Sequence, residues 1–507
     1  MVGAMKFLSR LPRFQSATVP TLPCKFNHQT THAFTSLANS ESEPRDVPEY
    51  FNFASDVLDK WSQREKEGKR PPNPAFWWVR EKGEEVKWTF EELSYLTRKT
   101  ANVLSEACNL CKGNRLLMIL PRVPEWWLLS LACIRTGQSK GCSRSRNLVM
   151  VCGEDLGRWM EQREVFNVIH KISIGFFINR EWMDLTSSDI IWGLSDPGWI
   201  KFAIGSFYSP WSQGSCIFQH GFLQFDPKVV LESLAKYPVT TFCGTPTIFR
   251  MLLQHNPSRY TFKSLRTCLG GGEPFNLDVL KEWKAETGFD IREGYGQTES
   301  VSLQPVGSRK GLKIKPGFIG KPLSGVDVRI IDENNNCLPP GEEGDIAVKI
   351  KPQRPVGLFS GYVDDPEKTA ATERGDYYIT GDRGLMDEDG YVQFIARADD
   401  IILSSGYRIG PFEVEYALMK HPAVAEAAVV SSPDPIRGEV VKAFIILTPA
   451  YQSQDQEKLS LELQGHVKKI TAPYKYPRKI EFVQDLPKTI SGKIKKRLLR
   501  KKEWETA

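Results

Sequence analysis

From Trp182 onward, short apolar runs that end in glycine alternate with helical stretches, and this rhythm constrains the fold more than any other feature of the chain. "VTTFCGT" and "SLRTCLGGG" have the length and branching of buried strands, whereas "KVVLESLAKY" and "NLDVLKEWKAETG" carry apolar residues at helical spacing. Strand and helix taking turns predicts a largely parallel sheet covered on both faces. Upstream, "RLLMILPRVPEWWLLSLACIRTG" reads as a buried strand, a turn and an apolar helix, and "PPNPAFWWVREKGEEVKWTF" as a hairpin whose strands end in aromatic residues.

Near Lys315 the texture changes. "VDVRIID", "GDIAVKI", "YYIT" and "GLMDEDGYVQFIA" are short alternating strands broken by Gly, Pro, Asp and Asn, which predicts a small β-rich subdomain. Past "RADDII" a helix, two strands, a helix and a strand follow in a unit of about one hundred residues, an ordinary domain size. The predicted fold class is therefore α/β: a large N-terminal domain of parallel sheets flanked by helices with a small β subdomain, then a mobile C-terminal α+β domain. The expected boundaries are 1–40 for a leader, 47–398 for the large domain and 399–507 for the small one. A chain of 507 residues is too long for a single core, which agrees with this division.

The first forty residues carry Lys6, Arg10, Arg13 and Lys25, many Ser and Thr, and no acid before Glu41, the composition of a mitochondrial transit peptide. The formal net charge of +6 falls to about +2 without those four residues, so the body is nearly neutral and nucleic acid is not an expected partner. The longest apolar run, "WWLLSLACI", is far shorter than the roughly 20 residues of a membrane span. Ten thinly spread cysteines fit a reducing compartment, and the "CNLC" at Cys108 to Cys111 lacks the second pair that a zinc site needs.

Four stretches carry chemistry. "RTCLGGGEP", Arg266 to Pro274, ends a strand in three glycines, so a flat group can lie on bare backbone at the carboxyl edge of the sheet, where nucleotides dock. "REGYGQTES", Arg292 to Ser300, reads as a loop after the strand "FDI" that gathers an aromatic ring, a hydroxyl and a carboxylate. There Tyr295 could stack on a base, Thr298 could donate to a phosphate oxygen and Glu299 could hold a divalent cation. "YITGDRG", Tyr378 to Gly384, offers Asp382 on a tight turn, where a carboxylate can accept two ribose hydroxyls, with Arg397 of the following motif in reach. In "TISGKIKK", Lys493 stands at a glycine-flanked loop tip from which a long cation could enter a cleft. Each stretch alone is a common turn; together, their order and spacing are not.

"GGGEP", "YGQTE", "TGDRG", "RADDIILSSGYRIGPFEVE" and "LPKTISGKIKKRLLR" in this order resemble the adenylate-forming superfamily of acyl-CoA synthetases, luciferases and peptide-synthetase adenylation domains, over residues 47 to 505. "SSPDPIRGEVVKAF" and "TAPYKYPRKIEFV" are similar in particular to the mitochondrial medium-chain acyl-CoA synthetases. The resemblance implies ATP-dependent activation of medium-chain fatty or aromatic acids in the mitochondrial matrix, through an acyl-adenylate, with ATP/AMP, Mg2+ and coenzyme A as the bound species. It implies that Gly271, Gly272, Glu273 and Pro274 frame the adenine under Tyr295, with Glu293, Gly294, Gly296 and Gln297 on the same nucleotide side. It further assigns Thr298 to the α-phosphate, Glu299 to the metal, and Asp382 and Arg397 to the ribose. Lys493 becomes the catalytic cation and Asp399 the hinge. Ser405, Gly406, Tyr407, Arg437, Tyr476, Pro477 and Arg478 fall on the coenzyme A surface, Arg408 at a phosphate or substrate contact, and Trp199 with Cys243 to Thr247 in the acyl pocket.

One element of the pattern is missing. The phosphate loop, a Ser/Thr/Gly-rich turn ending in Pro-Lys, belongs between Gly137 and Trp182, and no such string occurs there. "QSKGCSRSRNLVMVC" reads instead as a joint where a block has been skipped, near 138–181. This leaves an alternative reading: a relative impaired in adenylation that still binds coenzyme A or an acyl-adenylate.

Overall fold

The computed structural model describes residues 51–506 apart from the stretches 81–82, 111–115, 121, 137–147, 152–179, 196, 198, 223–224, 301–305, 309, 356, 360, 363–364 and 489–493. The expected leader, most of the joint at 138–181 and Lys493 itself lie outside the described residues. Residues 50–507 form one compact unit.

The main sheet has nine strands. A hairpin of β1 (Phe76–Val79) and β2 (Glu85–Trp88) forms one edge, as its aromatic-ended strands predicted. A separate parallel pair, β3 (Leu116–Ile119) and β4 (Leu148–Val151), stands off it. The rest of the main sheet is β5 (Ile190–Gly193), β6 (Cys216–His220), β7 (Thr241–Gly244), β8 (Thr267–Gly271), β9 (Ile291–Tyr295), β10 (Val306–Gly307) and β11 (Lys321–Pro322). The spatial order is β11-β10-β9-β8-β7-β5-β6-β1-β2, with the six strands from β9 to β1 parallel and the outer ones antiparallel.

Helices α1 (Phe90–Asn102), α2 (Pro124–Thr136), α3 (Ile200–Ser206), α4 (Pro227–Lys236), α5 (Pro246–Leu253) and α6 (Leu277–Thr287) form where the periodicity placed them or beside it. Their ends are set by local chemistry. Thr89 and Glu92 close a reciprocal capping box on α1, Asp226 and Thr245 cap α4 and α5 ahead of a proline in the first turn, and Gly288 ends α6 at φ +80°. A side-chain cap of this kind contributes about 1 kcal/mol. The core between sheet and helices is aromatic: Trp192, Phe218, Phe242, Phe249 and Trp283 are all fully buried.

A second sheet holds β12 (Val328–Ile331), β13 (Gly344–Lys349), β14 (Glu373–Arg374), β15 (Tyr377–Met386) and β16 (Val392–Arg397), the predicted β-rich subdomain. It starts later than the change of texture near Lys315, because β10 and β11 still pair with the main sheet. A third sheet contains β17 (Ile402–Ser404), β18 (Tyr407–Ile409), β19 (Val424–Asp434), β20 (Gly438–Leu447) and β21 (Lys479–Phe482). It is covered by α7 (Pro411–Met419), α8 (Gln456–Ile470) and α9 (Lys496–Thr506), with Val414, Leu418, Val429, Ile445 and Leu463 in its own core. No helix among the described residues is long and apolar enough to cross a membrane.

Candidate nucleotide and acyl site

The candidate site gathers at the carboxyl ends of β8 and β9 and the middle of β15. Parallel pairing sets Gly270 opposite Glu293 and Gly271 opposite Gly294. The two strands approach so closely that a Cβ on Gly271 would lie 2.4 Å from the Gly294 carbonyl oxygen. Gly272 then leaves the strand at φ +93° into open space, a conformation that favours glycine. Glu273 accepts a 2.8 Å hydrogen bond from Thr247, which ties the turn to α5.

Two expectations are corrected here. Arg292 to Tyr295 are not in a loop: the strand continues through Tyr295, because its backbone pairs with β8 and with β10. Asp382 likewise lies within the ten-residue strand β15 and not on a tight turn, although Gly381 before it has φ +71°.

That placement makes Asp382 and Arg397 cross-strand partners on β15 and β16. Asp382 is 4% exposed. Its Oδ2 accepts from the Tyr295 hydroxyl at 2.5 Å and from Gln297 Nε2 at 2.7 Å, while Arg397 approaches Oδ1 at 3.5 Å as an ion pair. Oδ1 is buried without a hydrogen-bond partner. Burial raises the Asp382 pKa, against the lowering pull of the Tyr295 hydroxyl and Arg397, and burial together with Asp382 pushes the Tyr295 phenol far above its ordinary value. The Tyr378 hydroxyl donates to Gln297 Oε1 at 2.8 Å, so the glutamine cannot rotate freely. An unused acceptor on a fixed, buried carboxylate suits a hydroxyl donor such as a ribose.

Glu299 accepts from the Tyr362 hydroxyl at 2.9 Å, and its backbone carbonyl binds the Phe359 amide. Thr298 stands in the same turn, two residues after Gly296. A lone carboxylate fits a Mg2+ ion that takes its remaining ligands from phosphates and water; among the described residues no cluster of three or more metal-ligating groups occurs. Glu293, 7% exposed, has its carboxyl pushed up to about 8 by burial.

The expected coenzyme A residues and Arg408 fall on the third sheet and the loops between its strands, and Asp399 falls just ahead of it. Ser405 and Gly406, both at positive φ, form a two-residue hairpin turn between β17 and β18. The Ser405 amide donates to the Arg437 carbonyl at 3.2 Å, which joins two of the expected coenzyme A residues. Tyr407 is exposed and stacks on Tyr474 at 4.2 Å between centroids. Arg478 donates to the Tyr476 hydroxyl at 2.8 Å across Pro477. Arg408 pairs with Glu333 at 3.4 Å. Asp399 accepts from Arg397 at 3.0 Å, and Arg500 of α9 donates to the Asp399 carbonyl and pairs with Asp400 at 3.2 Å.

Two neighbours lie outside every quoted stretch: Tyr362 and, above all, Lys201. Lys201, beside Trp199 on α3, donates to the carbonyls of Gly244 and, at 2.9 Å, Gly271. Its one legible signal is a lone cation in the apolar run "GWIKFAIGS".

Residues 160–363 match the model of the AMP-binding enzyme family and residues 413–493 that of the AMP-binding enzyme C-terminal domain. Acyl-coenzyme A synthetase ACSM3, mitochondrial, of Pongo abelii is 51% identical, with 93% of each chain covered. Acyl-coenzyme A synthetase ACSM4, mitochondrial, of Homo sapiens is 48% identical over 99% of this chain and all of that one. The ACSM3 alignment spans 549 positions but takes in 93% of the 507 residues here, about 472, so about 77 positions of that relative have no counterpart. Among solved structures, an acyl-CoA synthetase of Brucella canis superposes with a TM-score of 0.61 at 29% identity, covering 95% of this chain and 98% of that one. A buried carboxylate with a spare acceptor, a glycine-lined strand end and agreement along nearly the whole sequence converge: the chain belongs to the AMP-binding enzyme family, among the mitochondrial acyl-coenzyme A synthetases.

Proposed function

We propose that the chain is a mitochondrial acyl-coenzyme A synthetase that works in the matrix on medium-chain fatty or aromatic acids. A carboxylate oxygen attacks the α-phosphorus of ATP and pyrophosphate leaves. The coenzyme A thiol, losing its proton, then attacks the acyl carbon of the mixed anhydride and AMP leaves. The first step is needed because a free carboxylate would have to expel oxide, whereas the anhydride expels AMP.

The observation that carries this reading is the fixed Asp382 carboxylate, with one oxygen that accepts no hydrogen bond, beside a strand end stripped of Cβ atoms. In this reading Asp382 and Arg397 hold the ribose, Gly271 to Pro274 and Tyr295 the adenine, Thr298 the α-phosphate and Glu299 the magnesium, which would neutralise phosphate charge. Residues 47–398 form the nucleotide-binding domain. Residues 399–507 swing about Asp399, first to bring Lys493 to the α-phosphate and then to present the Ser405–Tyr407 turn, Arg437 and Tyr476–Arg478 to coenzyme A. Trp199 borders the acid, and Arg408, once freed from Glu333, contacts a phosphate. The impaired alternative is the weaker reading, since relatives matched along nearly their whole length are named synthetases.

Exchange of labelled pyrophosphate into ATP in the presence of butyrate, hexanoate, octanoate or benzoate tests the proposal. Exchange should be robust in the parent and fall by at least about a hundredfold in Lys493→Ala, since removing one charge-stabilising donor costs that much. No exchange in the parent, with thioester still formed from synthetic acyl-AMP and coenzyme A, would refute the complete reaction and establish the second half alone.

A further inference from the structure

We propose that Lys201 is an anion-binding residue of the acyl end of the site, the group that receives the carboxylate of the acid substrate. The inference rests on the synthetase reading and goes beyond it, because no motif assigns this lysine.

Lys201 reaches across the carboxyl ends of β7 and β8. Its ammonium uses two of its three N–H groups on the neutral carbonyls of Gly244 and Gly271. Among the described residues it forms no ion pair. Glu273, the nearest carboxylate acting on it, is engaged by Thr247, and the other group facing it is the buried thiol of Cys243. Part of the side chain meets solvent, but the ammonium end is packed round by protein, and that burial lowers its pKa in spite of Glu273 and Cys243. A cation removed from water without a matching anion is costly, so such groups are normally paired.

Bracing two strand ends does not need a charge. Elsewhere in the same fold neutral indole N–H groups bind backbone carbonyls: Trp182 on Glu293, Trp211 on Ala75 and Trp127 on Ser206, each at 2.9 to 3.0 Å. A lysine at Gly244 and Gly271 therefore supplies what a brace lacks, a positive charge and one spare donor. Helix α3 packs on β5 closely enough to aim it: a Cβ on Gly193 would stand 2.6 Å from Ser206 Oγ and 2.9 Å from the Gly205 carbonyl oxygen. The neighbouring Gly272 turn is where the reading sets the nucleotide, and Trp199, 42% exposed, stands two residues before Lys201. The chemistry this corner selects is a small monoanion attached to an apolar tail.

The test uses the full chain with Lys201→Gln, which keeps amide donors but removes the charge, and Lys201→Arg, which keeps the charge. AMP binding is measured by calorimetry, and labelled octanoate by equilibrium dialysis at saturating AMP. Lys201→Gln should hold AMP within about twofold and weaken octanoate at least tenfold, and Lys201→Arg should restore octanoate. Octanoate binding by the parent should also fall at alkaline pH below the usual lysine range, a dependence that Lys201→Arg abolishes. Octanoate binding unchanged in Lys201→Gln, or AMP and octanoate weakened in equal proportion, overturns the proposal. A parent that binds octanoate but no AMP refutes the nucleotide reading while the octanoate comparison still decides Lys201; one that binds AMP but no octanoate refutes Lys201.

Discussion

Replacing Gly271 by alanine should open the main sheet where the nucleotide is expected. The new Cβ would stand 2.4 Å from the carbonyl oxygen of Gly294, a main-chain atom paired in register and unable to rotate away. Carbon to carbonyl-oxygen contacts settle at about 3.3 to 3.6 Å, so β8 and β9 must part by roughly 1 Å at that end. Overpacking of this kind costs about 1 to 3 kcal/mol, and loss of a ladder hydrogen bond adds about 1 kcal/mol. Gly271→Ala should therefore lose about 2 to 4 kcal/mol of stability and, through a misplaced cradle, at least tenfold in AMP affinity. Gly272→Ala is the control. Its Cβ meets nothing within 4 Å, so only the left-handed backbone resists, at about 1 to 2 kcal/mol. Urea unfolding and calorimetry with AMP read both effects. If the two variants agree within about 0.5 kcal/mol in stability and bind AMP alike, the close approach of the strands is not what the site depends on.

Two further outcomes follow from charge and exposure. The Glu293 carboxyl is raised by burial from 4.5 to about 8, so the folded state holds its proton more tightly than the unfolded chain does. Its penalty is absent below pH 4.5, grows by up to about 1.4 kcal/mol per pH unit towards pH 8, and is constant above. Glu293→Gln should gain on the parent across that window in denaturation curves taken at several pH values; parallel curves would exclude the buried charge. The Arg408–Glu333 pair is exposed at both ends, 51% and 81%, so Arg408→Ala should change stability by less than about 1 kcal/mol. A drop in turnover with an unshifted melting curve then assigns Arg408 to the reaction, and a drop of several degrees assigns it to the fold.

The strand–helix alternation was legible because each element is punctuated locally, by Gly at the ends of β7 and β8 and by Asp226, Thr245 and Asn276 before the helices. Sheet order was not, since β5 lies between β6 and β7 through crossovers no local pattern encodes. The misplacement of Arg292 to Tyr295 has the same origin. Gly and Glu are poor strand formers, and only pairing with Gly270 and Gly271 from the neighbouring strand makes this segment extended. "TGDRG" reads as a turn for a similar reason, until β16 supplies Arg397 as its partner. Motif residues could be found one by one, but not the bonds between them: Tyr295 and Asp382 are 87 residues apart, and Lys201 meets carbonyls 43 and 70 residues away.

The grip of Arg500 on residues 399 and 400 has a practical corollary. Helix α9 is moored to the segment about which the small domain is proposed to turn, 101 residues earlier, so the two stretches are mechanically joined. Trimming the chain ahead of Arg500, or fusing a bulky partner against that helix, would slacken the pivot while the glycine cradle stayed intact. A preparation altered in this way would still grasp nucleotide yet lose the timing between its two half-reactions.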